Sequence, residues 1–384
     1  MRLSPVLSLH GVFAMNALAL ALWFPRIPDV RAALGLDYRV LSLCLLGLPL
    51  GLMIGFLTAP RVTAALGHRR TCMIFGVAYP LLMIVPGLAQ TPLALALALA
   101  LAGLAMSNME VAMNAKANLV QEALGRRIMS RCHGLWSIGS MTGALIGGWF
   151  AAQEIDFLTQ QIVVEPLVAV AGLIFAAALP PGRTQPAPES AGFRLPTGPL
   201  LVLCLLPLGA LIVEGTMLDW SVLYARDILG SNPFAASMIF AVFTVSMGLW
   251  RIGGDWLTEL WGEARVLVVS GLAMVAGLLL FVATDSIWVA GLAAFIIGFG
   301  AANPYPLAIS LCHHIPGKSQ EANVATIAIT GFTVFLIGPP MIGFLAAEFG
   351  LPRAFLALIP FAILAPLLVA RGAIAAPVRQ EAPR

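Results

Sequence analysis

The chain has 384 residues, of which 60% are hydrophobic and only 10% charged, with a formal net charge of +3; soluble domains carry about 25% charged residues. So few charges cannot cover the surface of a soluble protein of this size, and the mean hydropathy of +0.95 agrees, which excludes a soluble enzyme, a disordered chain and a nucleic-acid binder. The apolar residues come in helix-length blocks, not in alternating strands of about ten residues, which excludes a β-barrel.

In chain order, the first apolar block follows Arg2 and ends near Phe24. Ala17-Leu18-Ala19 has the small residues of a cleavage site, but more helices follow at once, so the block reads as an uncleaved first transmembrane helix. Blocks of about 20 residues, the length that crosses a bilayer, predict twelve spans near 6–24, 40–59, 71–89, 93–115, 133–151, 162–180, 199–219, 234–252, 265–284, 286–310, 323–346 and 353–370. Polar or Pro/Gly-rich joints such as Gln90-Thr91-Pro92 and Asp285-Ser286 separate them. With the N-terminus in the cytoplasm, 16 of the 21 Lys and Arg residues fall on the cytoplasmic side and five, Arg26, Arg31, Arg39, Arg226 and Arg353, on the other. That bias places both termini inside. The proline-rich stretch 181–198 reads as a cytoplasmic linker between a bundle over 1–180 and a second over 199–372, with a tail at 373–384. Cys44, Cys72, Cys132, Cys204 and Cys312 form no C-x-x-C pair and read as packing residues, so neither a disulfide framework nor a metal site is expected.

A shift of 195 residues superposes the sequence on itself. Gly67 meets Gly262, Gly76 meets Gly271, Gly103 meets Gly298, Gly143 meets Gly338 and Gly148 meets Gly343, while Arg70 meets Arg265 and Asn108 meets Asn303. Five of the ten glycines between 67 and 148 find a glycine partner, where 37 glycines in 384 residues give about one by chance. An even number of helices per copy makes the copies parallel, related by an axis along the membrane normal, and puts a solute site between them near the midplane.

These residues resemble the major facilitator superfamily over essentially the whole chain. Gly55 through Pro60-Arg61, then Gly67-His68-Arg69-Arg70, is similar to the family's loop signature, three residues longer than usual and with Pro60 at its acidic position; the second copy keeps the acid, as Gly254-Asp255, then Gly262 and Arg265. Glu110-Val111-Ala112-Met113-Asn114, Gly125 to Ser130, His133-Gly134-Leu135-Trp136, Glu214-Gly215 and Asp219-Trp220-Ser221 resemble a little-characterised group of bacterial inner-membrane permeases. They are similar, more distantly, to the fucose–proton symporter branch. The resemblance implies an all-α fold of two parallel six-helix bundles, a multi-pass inner-membrane location, and transport of a small molecule with protons by a monomer that holds no cofactor. It also implies a proton-handling role for the helix 4 acid, Glu110.

Charged groups inside a bilayer cost about 2.5–3.5 kcal/mol each on insertion scales, so each needs a reason. Ser107, Glu110 and Asn114 share one face of helix 4 with Gly103. A polar stripe there points to a central cavity, where a carboxyl can exchange a proton; interhelical hydrogen bonding is the rival reading. Glu214 is the second intramembrane acid, a proton or substrate residue or half of an ion pair closing the outer gate. Asp219 is the third proton-coupling candidate, placed at the end of helix 7, where a solvated acid is the rival reading, beside Trp220 as an interfacial anchor. The substrate candidates are Asn16 on helix 1, Ser107 and Asn114 on helix 4, His133 and Trp136 on one face of helix 5, and Asn303 and Tyr305 in Asn303-Pro304-Tyr305-Pro306, whose prolines break helix 10. At the 195-residue shift Tyr305 falls opposite Glu110. Gly139, Gly143, Gly147 and Gly148 form a close-packing face and resemble a family signature associated with exporters, with Ala144 in place of its proline. Arg251 and Asp255 are i, i+4 and can pair; with Arg61, Arg69, Arg70 and Arg265 they form the expected cytoplasmic gate.

The leading reading is a secondary transporter of a small organic solute, with a drug or metabolite exporter and a solute receptor as rivals. No H-E-x-x-H, Walker A or G-x-S-x-G pattern supports an enzyme or an ATP-driven pump.

Overall fold

A computed structural model gives the fold and describes residues 3–126, 128–181, 196–312 and 320–372. Most of the linker, the tail 373–384, Arg127 and the pair His313-His314 lie outside the described residues. All regular structure within them is helical: α1 (Pro5–Ala21), α2 (Ile27–Ala33), α3 (Tyr38–Leu45), α4 (Gly47–Leu66), α5 (His68–Leu82), α6 (Pro92–Leu124), α7 (Met129–Ala152) and α8 (Phe157–Ala177) in the first half, and α9 (Pro199–Leu205), α10 (Leu208–Asp227), α11 (Pro233–Ile252), α12 (Gly254–Trp261), α13 (Glu263–Ala283), α14 (Ile287–Ala302), α15 (Pro304–Leu311), α16 (Gln320–Phe349), α17 (Leu351–Leu356), α18 (Ile359–Ala362) and α19 (Leu364–Ala370) in the second. Local chemistry starts several of them. Ser4, Thr91 and Asn232 each cap a helix through a side-chain oxygen with a proline at the first helical position, where its missing N–H and fixed φ fit.

Among the described residues, eleven stretches are long and apolar enough to cross a membrane. A further helix, α7, has 24 residues but is diluted by glycine, serine and histidine. Leu57, Leu97, Leu167 and Trp288 stand exposed on the outer surface, as a lipid-facing belt requires.

Several spans are longer than the hydropathy pattern predicts, three of them with consequences for the candidate residues. The first continues past Ala21 through a 3₁₀ turn into α2, ending at Ala33. The fourth, α6, runs to Leu124, so Lys116, expected at the cytoplasmic surface, is a buried helical residue. The seventh breaks before Leu208 and then runs on as α10 to Asp227. Asp219 and Trp220 are therefore interior helix positions. Trp220 is fully buried, edge-on to Tyr38 at 6.1 Å, and is not an interfacial anchor: Ser221 to Ala225 continue the buried face beyond it. The expected break in helix 10 lies at Asn303, between α14 and α15.

The 195-residue repeat is also a repeat of contacts. Gly67 and Gly262 end one helix and begin the next at φ 82°, ψ 148° and φ 77°, ψ 155°, a region that disfavours any Cβ. A Cβ at Gly103 would lie 2.3 Å from the Leu48 carbonyl oxygen, and one at Gly298 would lie 2.7 Å from that of Phe243, the residue 195 positions after Leu48. Gly148 abuts Ser237, while Gly343 abuts Ser42, with Cβ-to-Oγ distances of 2.0 and 2.3 Å for an added methyl. Those last two contacts join the halves, where α7 crosses α11 and α16 crosses α3. Small residues there let the backbones approach. On its other side α7 packs along α1: Gly139, Gly143 and Gly147 face the carbonyl oxygens of Ala14, Leu18 and Leu22.

Candidate functional site

A cavity of about 480 Å³ lies between the two halves. The first half contributes Glu110 from α6 and Met129, His133, Trp136 and Ser137 from α7; the second contributes Glu214, Gly248, Arg251, Tyr305 and Phe335 from α10, α11, α15 and α16. The cavity reaches the first turn of α7 and the last turn of α11, the end of the molecule that the Lys/Arg bias assigns to the cytoplasm.

Glu110 faces this space, and its carboxylate has no partner among the described residues. Glu214 is paired: one guanidinium nitrogen of Arg251 donates to both its oxygens at 3.0 and 3.2 Å. Arg251, at the end of α11, therefore turns into the cavity toward Glu214 and not to the exposed Asp255 at the start of α12, because the carboxylate in the cavity is the less hydrated partner. Trp136 donates its indole N–H to Asn16 Oδ1 at 3.1 Å. The His133 ring stands edge-on to Phe13 at 5.3 Å. Tyr305 lines the wall supplied by the broken helix 10. A lone carboxyl group, an ion pair and two aromatic side chains with polar edges thus converge on one space with apolar walls, the composition of a small-molecule site.

Of the sequence candidates, Glu110, Glu214, His133, Trp136 and Tyr305 meet at the cavity, and Asn16 supports it by orienting Trp136. Ser107 does not: its hydroxyl donates to the Gly103 and Leu104 carbonyls of its own helix and fills the groove over Gly55. Asn303 is buried against Gly254 instead of facing the cavity. Asn114 donates to the Glu110 backbone carbonyl at 2.9 Å and lies outside the lining. Asp219 is half-buried on α10, also outside the lining. The expected cytoplasmic gate residues are unlinked: Arg61, Arg70, Arg265 and Asp255 are exposed, and Arg69 donates to the Ala177 carbonyl at 2.6 Å. Among the described residues no ion pair joins the halves at that end.

The opposite end is closed by a network the sequence reading did not assemble. Asp29 accepts from Arg26 at 2.5 Å and also from Arg226 of the second half. Asp227 of the second half accepts from Arg31 at 2.6 Å and from the Tyr38 hydroxyl at 2.8 Å. Arg39 pairs with Glu348, and Phe24 stacks on Phe240 at 4.9 Å. Arg26, expected in an outer loop, is 2% exposed. A signal was available: the 195-residue shift that aligns the glycines also aligns Arg31 with Arg226, and each of these arginines reaches an acid of the other half. Nearby, Asp156 caps α8, and hydrogen bonds from the Thr159 hydroxyl and amide hold its carboxyl below the usual carboxylate range.

Comparison with known proteins agrees with this geometry. The chain matches the Major Facilitator Superfamily over residues 9–334 and again over 215–384. It is 31% identical over 354 residues to an uncharacterised MFS-type transporter of Yersinia pestis, covering 92% of each chain. Its fold is similar to that of the nucleoside transporter NupG, with a TM-score of 0.74 at 12% identity over 96% of this chain and 99% of the other. A D-xylose-proton symporter superposes with a TM-score of 0.73 at 13% identity, over 95% and 97% of the two chains. At such identities these two structures speak to the fold alone.

Proposed function

We propose that this chain, which belongs to the major facilitator superfamily, moves a small polar organic solute across the bacterial inner membrane by alternating access, driven by protons. The carrying observation is the cavity between the halves: it holds an unpaired acid, Glu110, beside the Glu214–Arg251 pair, while cross-half ion pairs close the far end. In this reading α7 joins the eleven apolar stretches to make twelve spans, in two parallel six-helix bundles over 1–180 and 199–372. The Lys/Arg bias puts both termini inside, so the cavity faces the cytoplasm. The chain acts as a monomer.

The roles follow from the chemistry. Glu110 carries the proton, because it is the cavity acid that no cation neutralises. Glu214 and Arg251 bind solute hydroxyl or carbonyl groups by opening their pair. Trp136 and Tyr305 supply flat apolar faces with a polar edge, which suits a sugar-like or nucleoside-like ring. Met129, Leu211, Ile252 and Phe335 give the cavity an apolar wall, which favours export of an amphipathic metabolite as the second reading.

The test begins with a thermal-shift screen of pentoses, hexoses and nucleosides on the purified chain, since a ligand of the folded state raises its Tm. The best ligand is then followed into proteoliposomes under an imposed pH gradient. Accumulation should follow the gradient, and Glu110→Gln should abolish it while leaving solute exchange intact. Accumulation by Glu110→Gln with wild-type pH dependence would remove Glu110 from proton coupling. Accumulation that requires a gradient directed outward would select the exporter.

A further inference from the structure

The first half holds another acid, away from the cavity lining. Glu165 on α8 is fully buried, one of its oxygens has no partner, and the equally buried Tyr79 hydroxyl of α5 has none. Tyr79 lies within electrostatic reach of both Glu165 and Glu110. A buried acid lacking a cation is rarely kept inside a bilayer without a use.

Glu165 is also the end of a hydrogen-bonded line that starts at the outer gate. Arg26 donates to Gln160 Oε1 at 2.6 Å. Gln160 then donates its amide to the Leu22 carbonyl and to Gln161 Oε1, both at 3.1 Å. Gln161 donates to the Met83 carbonyl at 2.8 Å and to Glu165 Oε1 at 3.4 Å. The direction of the line is fixed, because a guanidinium only donates and the two carbonyls only accept. Every donor points toward Glu165. Both glutamines are fully buried, so the line runs without access to solvent.

We propose that Glu165 is a second proton-binding residue, and that the line through Gln161, Gln160 and Arg26 ties its proton to the state of the outer gate. The proposal rests on the proton-coupled reading above. The groups around Glu165 set the sign. They are Tyr79 from α5, which lies within reach of Glu110 as well, the Leu22 carbonyl that follows α1 through Gln160, the Met83 carbonyl through Gln161, and Arg26 at the head of the line. With the gate closed, Asp29 is shared between Arg26 and Arg226. Arg26 then keeps more of its positive charge and polarises the line, and a stronger donor at Glu165 favours its ionised form. With the gate open, Asp29 belongs to Arg26 alone, the line weakens, and Glu165 holds its proton. Loading from the outside and release with the outside closed is the order an inward proton flow requires.

The test is an infrared titration of the purified full-length chain in lipid nanodiscs, following the protonated-carboxyl stretch. A band absent from Glu165→Gln should titrate in the wild type. Arg226→Gln, which alters the gate while leaving every residue of the first half in place, should shift that band's midpoint to higher pH, a severalfold tighter hold on the proton. Gln161→Leu should abolish the shift. If Glu165→Gln does not fold, the difference between wild type and Arg226→Gln still reads the same band. A Glu165 band that never titrates, or one that Arg226→Gln leaves in place, overturns the proposal. A separate band lost in Glu110→Gln distinguishes the two ideas: its titration without a Glu165 response sinks this inference alone, and the silence of both sinks the proton-coupled reading as well.

Discussion

Both ends of the molecule, the inner one being that which the Lys/Arg bias assigns to the cytoplasm, carry arginines and acids and use them differently. At the outer end, Asp29, Asp227 and Glu348 each meet an arginine of the other half, and the glycine–serine crossings at Gly148 and Gly343 bring the backbones together. At the inner end, Arg61, Arg70, Arg265 and Asp255 stand in solvent, and Arg251 is turned into the cavity. The difference teaches that a gate is made by paired charge at a close backbone crossing and not by charge count. The inner end is richer in arginine, yet among the described residues no ion pair joins the halves there.

Breaking that contrast should be easiest at Asp29. Asp29→Asn leaves the buried Arg26 and the half-buried Arg226 without their shared carboxylate. Breaking a buried pair costs about 3–5 kcal/mol, and the partial exposure of Arg226 and Asp29 lowers the expectation to roughly 2–4 kcal/mol. A Tm fall of several degrees with increased labelling of outer-end cysteine probes is the expected result. The same change at the inner end, Asp255→Asn, should alter stability by less than about 0.5 kcal/mol, as for an unpartnered surface group. Equal effects at both ends would erase the comparison.

Gly148→Leu tests the crossing itself. The side chain has to enter the space of Ser237, an overpacking of about 1–3 kcal/mol that acts on the closed outer end. A cysteine placed by Ser42→Cys in the neighbouring crossing should then react roughly tenfold faster with a water-soluble thiol reagent, the change expected for about 1.4 kcal/mol. All five native cysteines are buried, so the background is low. Unchanged labelling would mean that the crossing does not hold the gate.

Smaller effects sharpen the picture. Asp156→Ala removes the α8 cap and should cost about 1 kcal/mol. Because the folded state holds this carboxyl below its ordinary range, its contribution is present above the unfolded value and is lost as pH falls through the depressed one. An acid-limb stability curve that is identical in wild type and variant would contradict this. Arg39→Gln, at an exposed pair with Glu348, should change Tm least, within about 0.5 kcal/mol.

Much of this architecture was legible in the sequence, because hydropathy sets where a helix can cross and glycine marks where two backbones touch. The 195-residue match led to Gly103 against Leu48 and Gly298 against Phe243 for a physical reason: a close crossing forbids any larger residue. The cavity was half legible. Glu110, Glu214 and Tyr305 were found because an acid or a double-proline break in an apolar span needs a cause. Ser107 and Asn303 were misassigned to the cavity because one helix face can look at a neighbour's glycine as well as at a cavity, and periodicity does not say which. The outer network was missed because charges near span ends look solvated. Which arginine meets which acid across nearly 200 residues depends on how the halves dock. Glu165 was missed although Gln160, Gln161 and Glu165 crowd one span, since polar residues at its start look like the approach to a loop.

The seam between the halves has one more consequence. Its two crossings are a single surface used twice: the first half brings Ser42 and Gly148, the second Ser237 and Gly343, and each serine meets the other half's glycine. Either half alone therefore carries both members of the contact. Two copies of one half, turned about a common twofold, would present the full set of four. Within one chain the two halves keep these matched contacts at the seam yet differ at the cavity, where the first brings the lone Glu110 and the second the Glu214–Arg251 pair.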